Sequence, residues 1–165
     1  MRIWRISNYA DLSGEGGRRA AGRWHELGTP VVYLAESVAL AMMEVIVHLE
    51  VDPEDFPDTY QLLGIEIPPS ISIEETTLSD LDAHADGWKT NPLISRSYIK
   101  PWFTQQRSPL MKIPSVIVPH SFNFLMNPLH PDAKSVHISS VERTDYDKRL
   151  FGGAGSPTSG TKPGA

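Results

Sequence analysis

The chain opens on a short alternation of charged and apolar side chains, Arg2-Ile3-Trp4-Arg5-Ile6, which predicts a first strand. From Asp11 to Gly22 the apolar positions thin out and Gly, Arg and small residues take over, as in an irregular loop that faces a ligand. Pro30 then precedes Val31-Val32-Tyr33-Leu34-Ala35, a β-branched and aromatic run that reads as a strand. Ser37 stands as an N-cap for a helix over Val38–Glu50. On that helix Val38, Ala41, Met42, Val45 and Leu49 recur at three- and four-residue steps, so one stripe faces a core and Glu44 lies beside it.

After an Asp- and Pro-containing turn at Val51–Asp58, Thr59–Ile67 and Ser70–Ile73 read as strands parted by Pro68-Pro69. Leu78–His84 fits a short helix, Leu93–Phe103 is ambiguous between Pro92 and Pro101, and the apolar, β-branched Leu110–Val118 predicts another strand. Asn127-Pro128 and His130-Pro131 mark a turn before a final strand over Ser135–Val141. The pattern predicts one α+β domain over residues 1–150. The segment from Phe151 to Ala165, mostly Gly, Ser, Pro and Thr, has too little apolar surface to order itself and reads as a disordered tail.

Composition narrows the partners. A chain of 165 residues at 40% hydrophobic content suffices for one core. With no cysteine there is neither a disulfide framework nor a thiolate metal site, and no dependence on an oxidising compartment. Met1 to Ile6 has no apolar segment behind its charges, and the longest apolar run, Val38 to Val47, is broken by Glu44, so a cytoplasmic protein without membrane insertion is expected. A net charge of −5 argues against the broad basic surface that direct nucleic-acid binding needs.

Gly22-Arg23-Trp24, Tyr33 ten positions after Arg23, and Glu44 eleven beyond that have complementary chemistry. Cleavage of a nicotinamide–ribose bond passes through a cationic, oxocarbenium-like ribose, and a carboxylate such as Glu44 stabilises that charge. A pyrophosphate is matched by guanidinium forks, and Arg5, Arg18, Arg19 and Arg23 lie in the first strand and the following loop. Tyr33 has a ring to stack on nicotinamide and a hydroxyl to orient a phosphate or ribose oxygen, and Trp24 a ring to wall the pocket. Each residue also has a plainer reading: Glu44 half-solvated or paired with His48 at i+4, Arg23 in a surface ion pair, Tyr33 packed within its strand.

Other motifs carry less. His25, His48, His84, His120, His130 and His137 form no HExxH or other tight ligand pair, so no metal is expected. Pro114-Ser115-Val116 lacks the glycines of a nucleophile elbow, which leaves Ser115 a structural or ligand-contacting hydroxyl. Gly14-Glu15-Gly16-Gly17 lacks the Lys-Ser/Thr pair of a phosphate loop and reads as a flexible loop. His120 and Ser121 either line a pocket beside the Ser115 strand or face solvent.

Over roughly residues 1–145 the chain resembles the RES domain, the toxin of RES–Xre toxin–antitoxin modules. Trp4-Arg5-Ile6, Gly22-Arg23-Trp24, Val32-Tyr33-Leu34 followed by Ala41 and Glu44, Ile113-Pro114-Ser115-Val116-Ile117-Val118-Pro119, and the block from Asn123 to Pro131 match that family's motifs in order. His48 falls where the family's helix often carries a His. The middle departs from the pattern, since Thr90 is followed by Asn91-Pro92 with no glycine. The resemblance implies a split mixed sheet around an NAD cleft, similar to ADP-ribosyltransferase toxins. It implies that Arg5 and Arg23 hold pyrophosphate or ribose, Tyr33 stacks on nicotinamide, Glu44 stabilises the ribosyl cation or orients the acceptor, and Ser115 bonds within the pocket. NAD is then the substrate, and an Xre-like helix-turn-helix antitoxin the partner whose C-terminal segment blocks the cleft. The expected activity is that of a toxin that breaks the nicotinamide–ribose bond of NAD as a glycohydrolase or phosphorylase. The alternatives are an ADP-ribosyltransferase that modifies a cellular protein, and a non-catalytic module that docks a partner.

Overall fold

The computed structural model describes residues 1–48 and 57–151. The expected tail beyond Phe151, the end of the Glu44 helix past His48 and most of the Val51–Asp58 turn lie outside the described residues.

The alternation at the start becomes β1 (Arg2–Ile6), and the run after Pro30 becomes β2 (Val32–Ala35), which leads into α2 (Val38–His48). The helix starts at Ser37, whose Oγ accepts from the Leu40 amide at 3.1 Å. β3 (Thr59–Glu66), β4 (Ile73–Glu75), β5 (Leu110–Pro114), β6 (Phe122–Met126) and β7 (His137–Asp145) complete a seven-stranded sheet in the order β4-β5-β6-β2-β1-β3-β7. Among the described residues only β4 and β5 run parallel, so the sheet is mixed.

One junction in this sheet is thin. β1 pairs with β3 along its whole length, from Arg2 opposite Glu66 to Ile6 opposite Leu62, but meets β2 at Trp4 opposite Ala35 alone. The sheet therefore splits between β1 and β2, as the resemblance implied. Its first face carries a core of Ile3, Val32, Leu34, Leu63, Ile65 and Phe124. On the second face Val31, Leu125, Met111 and Ile113 pack with Trp24, Trp88 and Trp102, while α2 sets Leu40 and Ala41 on Ala35, against Trp4 and Ile6. Strand alternation puts Tyr33 on this second face between Val31 and Ala35, and Asn123, opposite Ala35, beside it. Two polar residues thus lie where the two apolar clusters of that face meet.

Several expectations shift. The strand foreseen at Ser70–Ile73 begins only at Ile73, because the Ile71 amide bonds to the Pro68 carbonyl and closes a turn. The strand foreseen over Leu110–Val118 stops at Pro114, where the Ser115 hydroxyl accepts from the amides of Ile117 and Val118 and folds the chain back into β6. The alternation did not foretell β6. The Gly-rich stretch is not an irregular loop throughout: it holds α1 (Glu15–Arg19), entered at Gly14 with φ 73°. A Cβ on Gly14 would lie 2.6 Å from the Val31 amide nitrogen, so this backbone is pressed onto the sheet. α3 (Leu78–His84) has a capping box between Thr77 and Asp80. The ambiguous segment is helix α4 (Pro92–Gln105): Pro92 sits in its first turn, where a missing N–H costs nothing, and the Asn91 side chain caps it. Earlier in the loop before Asn91, Gly87 has φ 79°.

Candidate active site

At the split lies a cavity of about 280 Å³, lined among others by Arg5 from β1, Tyr33 from β2, Glu44 and His48 from α2, and Asn123 from β6. Glu44 is half-buried, and its Oε1 is fixed from two sides, accepting from Ser115 Oγ at 3.2 Å and Asn123 Nδ2 at 2.5 Å. Ser115 is 8% exposed and holds its hydroxyl in place through the Ile117 and Val118 amides. The other carboxylate oxygen, Oε2, has no hydrogen bond among the described residues. One oxygen is thus anchored, and the other is free of hydrogen bonds among the described residues. The Glu44 carboxylate bonds to Ser115 and Asn123 and not to His48, although His48 also lines the cavity.

Tyr33 is 36% exposed, yet its two ends differ. The ring borders the cavity, while the hydroxyl is enclosed by the Gly22–His25 loop: it accepts from the Trp24 amide at 3.3 Å and lies 2.8 Å from His25 Nδ1. Burial pushes the phenol well above its ordinary pKa, with Glu44 adding to the shift and the charges of Arg96 and Arg23 opposing it. Protein groups thus already take two of the hydrogen-bonding positions of the hydroxyl that was expected to orient a phosphate or ribose oxygen.

The arginines separate. Arg5 lines the cavity and spends one N–H on the Asp11 carbonyl at 2.9 Å; burial lowers its pKa, partly offset by the nearby Asp11 charge. Arg23 is not among the residues lining that cavity; its Nη1 donates to the Trp88 carbonyl at 3.1 Å, and its charge acts on the Tyr33 phenol. Arg18 and Arg19 pair with Glu15 on the exposed side of α1, away from the cavity. Trp24 is buried in the core, 6.0 Å from Trp88 between ring centroids, and reaches the site only through its backbone. Ser115 borders a neighbouring cavity of about 450 Å³, together with His120 and Ser121, and acts on the first one through Glu44.

Three contributors were given no role at the site by the sequence. Asn123 opens the family block that runs to Pro131 and is a polar residue in the apolar run Phe122–Met126. His25 follows the Gly-Arg-Trp motif and is 5% exposed. Arg96 on α4 donates from Nε to the Gly22 carbonyl at 2.8 Å, which ties the loop to the helix. Among the described residues, no three His, Asp or Glu side chains converge as a metal site, and no helix is long and apolar enough to cross a membrane.

The crowding at Gly22 has a measurable consequence. A Cβ there would lie 2.6 Å from the Tyr33 hydroxyl and 2.7 Å from His25 Cε1, so Gly22→Ala must displace one of them. The expected cost is about 1–3 kcal/mol, as for other overpacked sites, read as a lowered urea midpoint. An unchanged midpoint would mean that the loop yields without strain.

His25 also makes stability depend on pH. Burial holds its imidazole below the ordinary value, helped by the Arg96 charge and opposed by hydrogen bonds to the backbone at Ala20 and Gly17. The folded state thus binds a proton less readily than the unfolded chain, so stability is whole above about pH 6.5 and declines as pH falls through that value toward the lowered one. Urea midpoints at about pH 7.5 and about pH 5.5 should fall for the native sequence and fall less for His25→Asn. Equal falls would place the titrating group elsewhere.

The family model described as RES domain matches residues 2–148. A protein named Toxin Res from Pseudomonas putida is 48% identical over 151 residues, covering 92% of this chain and 100% of that relative. A protein named Prs ADP-ribosylating toxin, from Sphingobium sp., is 40% identical over 159 residues, covering 90% of this chain and 96% of the relative. Among solved structures, the crystal structure of the M. tuberculosis MbcT–MbcA toxin–antitoxin complex matches with a TM-score of 0.65 at 19% identity, covering 92% of this chain and 86% of that one. That likeness concerns the fold.

Proposed function

The chain belongs to the RES domain family, and from that premise we propose that it is a toxin that consumes NAD in the cytoplasm by breaking the bond between nicotinamide and ribose. The observation that carries this reading is Glu44: a carboxylate with one oxygen fixed by Ser115 and Asn123 and the other free of hydrogen bonds among the described residues, in a cavity it shares with the Tyr33 ring and Arg5.

In this reading the Tyr33 ring stacks on nicotinamide, and the N–H groups of Arg5 left over from Asp11 meet the pyrophosphate. When the C–N bond breaks, its electron pair goes to the nicotinamide ring nitrogen and quenches the pyridinium charge. The ribosyl carbon becomes cationic, and Glu44 Oε2 stabilises it from a position fixed before the reaction starts. Arg23, outside the cavity lining, pins the loop to Trp88, and its charge acts on Tyr33. Ser115 and Asn123 are positioning residues for the carboxylate, and the Trp24 amide is one for Tyr33. Water or phosphate completes the reaction by taking the ribosyl group.

A second reading, in which a protein side chain is the acceptor, is favoured by the relative named Prs ADP-ribosylating toxin. It uses the same donor side and differs only at the acceptor. The solved toxin–antitoxin neighbour supports a partner protein for this chain, and we propose that this partner is an Xre-like antitoxin that covers the cleft.

The test is to induce the chain and Glu44→Gln in cells and to follow NAD together with ADP-ribose attached to proteins. A fall in NAD without protein labelling, absent in the variant, is the expected result. Labelling of one or a few proteins would replace it with the transferase reading, and no change in either quantity would leave only a binding module.

A further inference from the structure

The Tyr33 ring borders the cavity, while its hydroxyl is engaged behind it by the Trp24 amide and by His25. His25 Nε2 lies 2.9 Å from the Ala20 carbonyl oxygen. A carbonyl can only accept, so Nε2 carries the proton and the neutral ring presents Nδ1 as an acceptor. Nδ1 lies 2.8 Å from the Tyr33 oxygen, so the phenol donates to it. The Trp24 amide donates to that same oxygen from the adjacent residue. Gly22 closes the group from the third side, with no room for a side chain, and Arg96 holds the Gly22 carbonyl.

We infer that His25 is a positioning residue for Tyr33: through the relay from Ala20 carbonyl to imidazole to phenol it fixes the ring at the cavity wall and keeps its hydroxyl out of the reaction. The inference rests on the reading that NAD occupies the cavity, and deepens it by giving Tyr33 a single job. Its ring face binds the flat, cationic nicotinamide. Its proton is committed to His25, so Tyr33 is neither the acid nor the base of the reaction. The imidazole does not line the cavity that holds Glu44; it acts on that cavity through Tyr33.

Two measurements on the full chain test this. In the first, nuclear magnetic resonance of isotope-labelled histidine near neutral pH reads the tautomer of His25 without any substrate. The expected signature is a protonated Nε2 and a bare, hydrogen-bonded Nδ1, with Tyr33→Phe shifting Nδ1 to a bare nitrogen that accepts nothing. A protonated Nδ1, or no response to Tyr33→Phe, overturns the inference whatever the activity proves to be. In the second, NAD turnover is compared for His25→Asn, which keeps an acceptor near the Nδ1 position, and His25→Phe, which keeps the ring without one. Loss of an aligned stacking face removes binding common to ground and transition state, so KM for NAD should rise about five- to tenfold in His25→Phe while kcat changes less than about threefold. His25→Asn should recover most of the loss. Equal loss in both variants, or none in His25→Phe, would reduce His25 to packing. Absence of NAD turnover in the unmodified chain would instead refute the proposed reaction and leave the tautomer result standing.

Discussion

Replacing Glu44 with Gln is expected to lower kcat for NAD consumption on the order of 10²- to 10³-fold, the range seen when one preorganised electrostatic group is removed from a transition state. The amide keeps the size of the carboxylate, and its oxygen still accepts from Ser115 and Asn123, so the side chain stays where it is. What disappears is the negative charge at the position of Oε2, and that charge matters only once the ribose turns cationic. KM for NAD should therefore change less than about threefold, and the urea midpoint should stay near that of the native sequence. Glu44→Ala is the less informative variant, because it strips Asn123 Nδ2 and the Ser115 hydroxyl of their acceptor and mixes a structural cost with the chemical one. A Glu44→Gln chain that turns over NAD at more than about a tenth of the native rate would mean that the carboxylate does not face the ribose.

How far the sequence foretold this site depends on how local each signal is. Tyr33 and Glu44 were legible because Tyr33 sits in a β-branched and aromatic run that reads as a strand, Glu44 beside apolar residues at three- and four-residue steps that read as a helix, and the family resemblance brings the two together. Asn123 was matched as the start of a family block, but its role was not legible, because that role comes from pairing β6 against β2, which sets it opposite Ala35 across almost ninety residues of chain. Ser115 was named as a pocket hydroxyl; its actual task, orienting Glu44, depends on a turn that ends β5 earlier than the apolar pattern suggests. Apolar runs do not show where a hydroxyl will capture backbone amides and stop a strand. Trp24 and the hydroxyl of Tyr33 were both assigned to the ligand on their chemistry, and the structure adds protein partners the sequence did not show, the Trp88 cluster for Trp24 and His25 for the phenol. Aromatic and phenolic groups serve cores and sites equally well, and only the three-dimensional neighbours decide.

The largest loss of stability is expected at Trp102, well away from the carboxylate. Its side chain is fully buried between α4 and the sheet, in edge contact with Phe103 at 4.6 Å, and its Nε1 donates to Ser108 Oγ at 2.8 Å. That hydroxyl in turn donates to the Leu110 carbonyl, where β5 begins. Trp102→Ala removes the ring and leaves a cavity that Pro101, which already deprives the helix of one hydrogen bond, gives the backbone little means to close. The expected cost is about 3–5 kcal/mol, a large part of the roughly 5–15 kcal/mol by which a domain is stable, read as a lowered urea midpoint at unchanged m-value. A cost below about 1 kcal/mol would mean that α4 is not seated on the sheet through this ring. The consequence for the site is indirect: α4 carries Arg96, which holds Gly22 and with it the loop that clamps Tyr33. Below its own melting transition, Trp102→Ala should therefore lose NAD affinity, through a loosened Tyr33, before it loses kcat, the reverse of Glu44→Gln. Opposite kinetic signatures from a core residue and a cavity residue would separate the packing that positions the ring from the charge that meets the ribosyl cation.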